Sequence, residues 1–292
     1  MSDYEFITYQ VERGRARITL NRPERRNALS GALLTELAAA LWDADDDKRV
    51  HSVILRGAGT AFCAGYDITP GINAPATDIP RRGGGIYEDT TIDDDIWRLE
   101  RGQRLRMVLF DMHKPVVAQV HGYCIAGGTD IALLSDMVIT ADDAIFGFPP
   151  ARDLGALPNQ MWLYHCGPQW AKRLLLTGDS LTGKDAAEIG LALKSYPAAE
   201  LETEVMRLAD RMGLVDPHLL SANKRLVNLG LELMGARTIQ RIGAEIDARG
   251  HLAPKAVAFK ATMREHGVKH AFQKRDALFG NQYAAVRGRD PD

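Results

Sequence analysis

The sequence predicts an α/β fold in which strands alternate with helices, followed by a helical C-terminal third. Residues 6–11 and 16–20 alternate β-branched and aromatic residues with polar ones, which is typical of a hairpin. Apolar runs of strand length recur later in the chain, at residues 52–55, 115–120 and 137–140. Helical periodicity separates these runs, and repeated strand and helix units of this kind favour parallel strands.

Each helix between the strands has its own signal. Ser30 can cap a helix whose apolar stripe is Leu33, Leu37, Leu41 and Trp42. Further helices are predicted from about residue 96 to 112 and from residue 128 onward. The order of strand and then helix therefore recurs before the helical C-terminal third begins.

From Ala198 onward the strand signals end and helical periodicity takes over. Asp216 and Pro217 form a helix start ahead of a run of leucines, because aspartate caps a helix and proline suits its first turn. We therefore divide the chain into a core of residues 1–197 and a helical region of residues 198–292.

One long segment, residues 69–101, departs from regular patterning. It contains three prolines, a glycine run at residues 83–85 and an acidic triplet at residues 93–95. A loop this long inside a compact domain is usually a functional lid or a disordered segment, and both interpretations stay open. We expect the acidic triplet to form the solvated first turn of the next helix.

Composition and charge exclude several classes of function. The 292 residues are 46% hydrophobic and 25% charged, with a formal net charge of -2, which gives no bulk attraction to nucleic acid or to anionic membranes. No apolar run reaches the length of a membrane span, and the first residues lack the pattern of a signal peptide, so we expect a soluble cytoplasmic protein. Cys63, Cys124 and Cys166 lack metal-ligand spacing, and P-loop, dinucleotide-binding and zinc motifs are absent from the sequence.

Two glycine-containing segments, residues 61–67 and 121–130, carry most of the functional information. Each follows an apolar run, and in each the glycines expose backbone N–H groups at a turn where a side chain would block a ligand. If the N–H groups of Tyr66 and Gly127 converge, they can hold the oxygen of a polarised carbonyl. The helix that begins near Gly127 would add its positive dipole end.

The sequence A-F-C-A-G-Y-D-I, followed about sixty residues later by H-G-Y-C-I-A-G-G-T-D-I-A, resembles the crotonase (enoyl-CoA hydratase/isomerase) superfamily. Further family-like motifs occur in the family's order, at residues 21–29, 114–118, 146–149, 176–179 and 186–191. The resemblance implies a superhelix of repeated ββα units and activation of an acyl thioester through an enolate. It also implies that the C-terminal helices pack against neighbouring subunits as a homotrimer or a dimer of trimers; the alternative is a cap on the chain's own core.

The same resemblance implies that coenzyme A is part of the substrate, with no permanently bound cofactor and no metal. Arginine suits phosphate through charged hydrogen bonds, and Arg25, Arg26 and Ala28 match the region that lines the CoA pyrophosphate and adenine. Phe272 and Arg275 match a segment that reaches the CoA of an adjacent subunit. The remaining positions assigned to CoA binding lie at the first glycine turn, namely Ala64, Asp67 and Ile68.

The proton-transfer groups depart from those of the best-known hydratases, which place two glutamates around a water. Asp130 matches the first glutamate but has a reach shorter by one C–C bond, about 1.5 Å. The second position is Pro150, which cannot move a proton. Asp153 is one replacement, and the alternative for it is an ion pair with Arg152 or a turn cap. His121 is another, since histidine titrates near neutrality, and the alternative for it is a structural hydrogen bond.

We therefore expect an enoyl-CoA hydratase or dehydratase that stabilises a thioester enolate in a backbone oxyanion hole. Two alternatives remain open at this stage. One is another crotonase reaction, such as isomerisation, decarboxylation or hydrolysis of a carbon–carbon bond. The other is a non-catalytic acyl-CoA-binding protein that kept the oxyanion site. Tyr66, Gly127, Asp130, Asp153 and His121 are the candidate catalytic residues.

Overall fold

The computed structural model describes residues 4–68, 91–288 and 290. Its described strands form two sheets, one of six strands and one of four. The strands of the first sheet, in spatial order, are β1 (Ile7–Glu12), β2 (Arg15–Leu20), β3 (Ser52–Gly57), β5 (Val116–Val120), β7 (Met137–Ala141) and β10 (Lys194–Tyr196). Those of the second are β4 (Ala61–Cys63), β6 (Tyr123–Ile125), β8 (Ile145–Gly147) and β9 (Ser180–Thr182).

The order of the strands confirms the α/β class and its ββα repeat. After the antiparallel hairpin of β1 and β2, the strands β3, β5 and β7 pair in parallel in the first sheet. Each is followed directly by a strand of the second sheet, β4, β6 and β8, so every turn of the chain contributes one strand to each sheet. All five residues of β5 are buried, as expected for a central parallel strand covered on both faces.

Helices alternate with these strands and then make up the last third of the described chain. Those of the core are α1 (Gly31–Asp46), α2 (Ile92–Arg106), α3 (Val108–Asp111), α4 (Gly127–Leu134), α5 (Trp162–Thr177) and α6 (Gly183–Glu188). Those of the C-terminal region are α7 (Ala198–Met212), α8 (Pro217–Leu233), α9 (Ala236–Gly250), α10 (Pro254–His266) and α11 (Val268–Asp276). None of the described helices is long and apolar enough to cross a membrane.

Helix starts agree with the capping residues read from the sequence. The hydroxyl of Ser30 accepts a hydrogen bond from the N–H of Leu33, and the carboxylate of Asp216 accepts one from the N–H of His218 at the start of α8. Leu33, Leu37 and Leu41 are buried as predicted. Trp42, which we placed in the same stripe, is 43% exposed, because the buried face of α1 continues through Ala40 and Ala44 instead.

The irregular segment includes the start of α2, which the sequence predicted correctly, and the buried residue Asp95, which it did not predict. The proposed lid or disordered stretch lies outside the described residues from 69 to 90, and residues 92–101 belong to α2. The acidic triplet does form the first turn of α2, capped by Thr91. Asp95 is buried rather than solvated, because its carboxylate pairs with Arg98 and with His251 from the C-terminal region.

One buried side chain, Asn27, fixes the entry to the first glycine turn. Its amide nitrogen donates hydrogen bonds of 2.8 Å to the carbonyls of Ala58 and Ala61, and its amide oxygen accepts one of 2.9 Å from the N–H of Arg22. Its φ of 56° lies in the left-handed region, which asparagine tolerates better than most residues. These three hydrogen bonds therefore fix the loop that leads into β4 and then to Gly65.

We expect Asn27→Ala to lower the free energy of unfolding by about 2–4 kcal/mol, because it leaves three buried or partly buried backbone groups without their partner. Urea denaturation measures the loss. Asn21→Ala, at an exposed position nearby, serves as the control and should change stability by no more than about 0.5 kcal/mol. Equal stability of the two variants would contradict the role assigned to Asn27.

Candidate functional site

The two glycine segments lie directly against each other. Strands β4 and β6 pair in parallel with Cys63 opposite Cys124, which brings the two following turns together. Gly65 has a φ of 103°, and a Cβ placed on it would lie 3.1 Å from the Cβ of Ala126 and 3.7 Å from the nitrogen of Gly127. Only glycine permits this approach, so the sequence brings Tyr66 and Gly127 side by side.

The N–H groups of Tyr66 and Gly127 have no backbone acceptor in the described part of the chain. Leu29 pairs with both neighbours of Tyr66: its N–H donates to the carbonyl of Gly65 and its carbonyl accepts from the N–H of Asp67. Gly127 is the first residue of α4, whose opening N–H groups lack partners within the helix. Two backbone donors without a backbone acceptor among the described residues therefore lie on adjoining turns, one of them at the positive end of a helix dipole.

Gly128 and the two neighbouring thiols serve close packing. A Cβ on Gly128 would lie 2.4 Å from the carbonyl oxygen of Cys63. Cys63 and Cys124 are fully buried, and burial raises the pKa of the Cys63 thiol to about 12. Neither residue can supply a thiolate near neutral pH, so they are packing residues rather than nucleophiles.

Asp130 lies in the first turn of α4 and is 1% exposed. The Tyr66 hydroxyl donates a hydrogen bond to Oδ2 of Asp130, while Oδ1 has no hydrogen-bond partner among the described residues. Burial raises the pKa of Asp130 to about 7, although the charge of Arg106 and the Tyr66 hydrogen bond lower it in part. This carboxyl group can therefore hold or release a proton near neutrality.

The Tyr66 ring occupies a fixed position between Gly127 and Arg106. A Cβ on Gly127 would lie 2.9 Å from the ring, and the Arg106 guanidinium lies 5.3 Å from the ring centroid. Arg106 is itself buried and donates two hydrogen bonds, of 3.1 and 2.8 Å, to the amide oxygen of Asn159. Burial raises the pKa of Tyr66 well above its usual value, so the hydroxyl keeps its proton.

A second cluster of acid and base groups, missed by the sequence analysis, is formed by Asp95, Asp247 and His251. The Nδ1 atom of His251 lies 2.6 Å from a carboxylate oxygen of Asp95, and its Nε2 atom lies 3.3 Å from one of Asp247. All three residues are at most 6% exposed. The only local signal is the spacing of Asp247 and His251, four residues apart, which places them on one helix face.

One large cavity of about 1400 Å³ lies beside these groups. Tyr66, Asp247 and His251 line it together with most of the residues that the sequence analysis assigned to CoA, namely Arg26, Ala64, Asp67, Ile68, Phe272 and Arg275. Arg25 and Ala28 do not line it. Asp130 does not line it either, so Tyr66 lies between this carboxyl group and the cavity.

The charged residues assigned to CoA differ in their surroundings. Arg26 lies 5.0 Å above the ring of Tyr123, and Asp67 forms an ion pair of 2.9 Å with Arg22. Arg275 is buried, bonded to Asp276 and 4.8 Å from the Phe272 ring centroid. Phe272 and Arg275 line the cavity of their own chain.

The two alternative proton-transfer residues do not themselves line this cavity. His121 uses Nε2 to bond the carbonyl of Gly59 at 2.9 Å, and neither His121 nor Asp153 is among the residues that line the cavity. The nearest cation to the Asp153 carboxylate is Arg275, at 3.8 Å. Arg152, the partner suggested by the sequence, bonds Asp179 and Asp276 instead. Burial raises the pKa of Asp153 to about 6.

Comparisons with known proteins agree on one family. A family model described as enoyl-CoA hydratase/isomerase matches residues 10–251. The chain is 30% identical over 281 residues to a crotonyl-CoA hydratase from Syntrophomonas wolfei, covering 94% of this chain and 98% of that one. It is 32% identical over 220 residues to a probable mitochondrial enoyl-CoA hydratase from Dictyostelium discoideum, covering 74% and 73%. A crystal structure of an enoyl-CoA hydratase from Mycobacterium smegmatis superposes with a TM-score of 0.87 at 37% identity, covering 97% and 98%.

Asp130→Asn should change how stability depends on pH. Because the pKa of Asp130 is raised from 3.8 to about 7, the folded protein binds this proton more tightly than the unfolded chain. Its stabilising contribution is complete below about pH 4 and is lost as pH rises towards 7. Urea denaturation across this range should show a smaller loss of stability in Asp130→Asn than in the wild type.

Asp46→Asn, which removes an exposed carboxylate at the end of α1, is the control for that titration. We expect its stability to follow the wild-type pH dependence. If Asp130→Asn follows the wild type as closely as Asp46→Asn does, the carboxyl group of Asp130 does not bind its proton more tightly in the folded state.

Proposed function

Since the chain belongs to the enoyl-CoA hydratase/isomerase family, we propose that it is an enoyl-CoA hydratase acting on 2-enoyl-CoA thioesters. The observation that carries the proposal is the pairing of two backbone donors with a protonatable carboxyl group around Tyr66, which lines the cavity. The donors belong to Tyr66 and Gly127, and the carboxyl group belongs to Asp130. The relatives named hydratases support the reaction class.

The two N–H groups form the oxyanion hole in this proposal. When water adds to the β-carbon of an enoyl thioester, the thioester oxygen gains negative charge as an enolate. Fixed backbone donors stabilise such charge without reorganising, and each is typically worth about 10²- to 10³-fold in rate. The dipole of α4 acts in the same direction, because the helix begins at Gly127.

Tyr66 and Asp130 act together as the proton donor to the α-carbon. Asp130 is shorter than the glutamate found in the best-known hydratases and lies behind Tyr66, which lines the cavity. The Tyr66 hydroxyl can pass its proton to substrate while it takes one from the Asp130 carboxyl group. This arrangement compensates for the missing methylene, because the hydroxyl extends the reach of the acid into the cavity.

In this proposal the protein binds its substrate through the coenzyme A moiety. Arg26 provides a cation at the cavity, and arginine binds phosphate oxygens through paired hydrogen bonds. Phe272 and Arg275 supply an aromatic face and a second cation at the same cavity. Arg25 and Ala28 remain candidates for the outer part of the CoA site, next to Arg26 in sequence.

We also propose that residues 198–292 form the oligomerisation region of a homotrimer or a dimer of trimers in the cytoplasm. Helix α8 exposes a row of large apolar side chains that the core of its own chain does not cover, namely Leu219, Leu226, Val227, Leu229 and Leu233. Exposed apolar patches of this kind mark protein–protein contacts.

Gly127→Pro should lower turnover of crotonyl-CoA by at least about 10²- to 10³-fold, because proline removes one donor of the oxyanion hole and its ring also displaces the Tyr66 ring. Loss of the enoyl absorbance measures the rate. Ala198→Pro is the matched control, since it makes the same change at the exposed first residue of α7, far from the cavity. Circular dichroism should show both variants folded. A Gly127→Pro protein with the wild-type rate would refute the oxyanion assignment.

The wild-type protein itself separates the candidate functions. Consumption of crotonyl-CoA and longer 2-enoyl-CoAs, with formation of the 3-hydroxyacyl product, supports the hydratase. Exchange of the α-protons of butyryl-CoA into heavy water without hydration would indicate another enolate reaction. Tight binding of butyryl-CoA with neither signal at any pH would identify a non-catalytic binder.

Leu226→Glu should shift the protein towards the monomer, because it places a charge in the apolar row of α8. Sedimentation or light scattering measures the mass. Leu176→Glu, an 81% exposed leucine on α5, is the control and should keep the wild-type mass. An unchanged mass in Leu226→Glu would exclude this face of α8 as the contact.

A further inference from the structure

Asp247 is a buried carboxylate that has no role in the proposed function. It lies on α9, is 5% exposed and lines the same cavity as Tyr66. Burial raises its pKa, and the backbone N–H of Ala156 lowers that pKa in part. A Cβ on Gly155 would lie 2.3 Å from its Oδ1, so glycine is needed for this approach. Asp247 of α9 therefore lies against Gly155, only a few residues beyond Pro150. Pro150 is the position that matches the second glutamate of the best-known hydratases.

Helix α9 holds Asp247 in place through several buried contacts. The Gln103 side chain donates hydrogen bonds to the carbonyls of Gln240 and Pro158, and the Gln240 side chain accepts one from the N–H of Gln160. A Cβ on Gly243 would lie 2.8 Å from the carbonyl oxygen of Pro158. The helix is thus fixed against both α2 and the 156–160 loop.

His251 and Asp95 orient Asp247 from its other side. The imidazole lies between the two carboxylates, at 2.6 Å from Asp95 and 3.3 Å from Asp247. Burial would raise the pKa of Asp95, but the His251 hydrogen bond and the Arg98 charge outweigh it, so this pKa is lower than usual. Asp95 therefore stays ionised and anchors the ring, as the carboxylate of a catalytic triad anchors its histidine.

Asp247 and Asp130 belong to different helices, α9 and α4. Burial is the main cause of the raised pKa of both Asp130 and Tyr66, and the negative charge of Asp247 adds to it in part. Burial raises the pKa of Asp247 to about 6, the charge of His251 lowers it and that of Asp95 raises it. Arg98 and Lys260 are the other charged groups that act within this cluster.

We propose that Asp247 is the second proton-transfer group of the site, positioned by His251 and Asp95, in place of the acid that Pro150 cannot supply. The proposal rests on the hydratase function above. Asp247 takes a proton from water while the water oxygen bonds to the β-carbon. The electron pair of the carbon–carbon double bond moves to the thioester as an enolate, and the Tyr66–Asp130 pair then donates a proton to the α-carbon. Solvent returns one proton to this pair and removes one from Asp247.

The test is Asp247→Asn, which keeps the shape of the side chain and removes the proton acceptor. We expect kcat for hydration of crotonyl-CoA to fall by about 10²- to 10⁴-fold with little change in KM. Exchange of the α-protons of butyryl-CoA in heavy water should persist, because it uses the Tyr66–Asp130 pair. Glu245→Gln, an exposed carboxylate on the same helix, is the matched control and should hydrate at the wild-type rate.

The pH profile separates proton transfer from a structural role. In the wild type, kcat/KM should rise as pH increases through about 6, because Asp247 must be ionised to accept a proton. This acid limb should remain in Asp247→Glu and be absent from the residual activity of Asp247→Asn. His251→Gln should move the limb to higher pH, because the charge that lowers the pKa of Asp247 is removed.

Three outcomes would overturn the inference. Hydration by Asp247→Asn at the wild-type rate would exclude Asp247 and leave the hydratase function intact. Equal loss of hydration and of α-proton exchange would show that Asp247 only supports the fold of the site. Failure of the wild-type protein to hydrate any enoyl-CoA would refute the proposed function, and the inference would fail with it.

Discussion

The site depends on the contact between two turns that only glycine permits. Gly65 brings its turn to within van der Waals distance of Ala126 and Gly127, and Gly127 leaves room for the Tyr66 ring. The same contact therefore sets the positions of two backbone donors and of the hydroxyl that meets Asp130. A side chain larger than hydrogen at either glycine would separate these groups together, because they share one interface.

The pKa values of the carboxyl groups at the site depend more on burial than on ion pairs. Asp130, Asp247 and Asp95 are three carboxyl groups on three helices, and each is almost completely removed from water. Asp95 has two cationic partners and stays ionised, whereas the first two have raised pKa values because desolvation outweighs their partners. Carboxyl groups that titrate near neutrality are suited to exchange protons with a substrate, and such groups concentrate at functional sites.

Local signals in the sequence predicted the fold class, the helix caps and the inner part of the site. Ser30, Asp216 and the two glycine turns act over a few residues, so a short window contains the information. The region from Ala198 was correctly predicted as helical for the same reason. Trp42 and Asp95 were misplaced, because their burial depends on which distant element covers them. Asp247 and Arg106 could not be found at all, since each meets Tyr66 or its cavity only after residues far apart in the chain have packed.

Two parts of the chain, which are packed in different ways, supply the residues at the cavity. Tyr66 and Gly127 follow the paired strands β4 and β6, where the two turns pack directly against each other. Asp247, His251, Phe272 and Arg275 belong to helices that pack on that core from outside. A fold divided in this way can acquire a new acyl preference, or a new way of handling protons, by remodelling its helical wall while the part that polarises the thioester stays as it is.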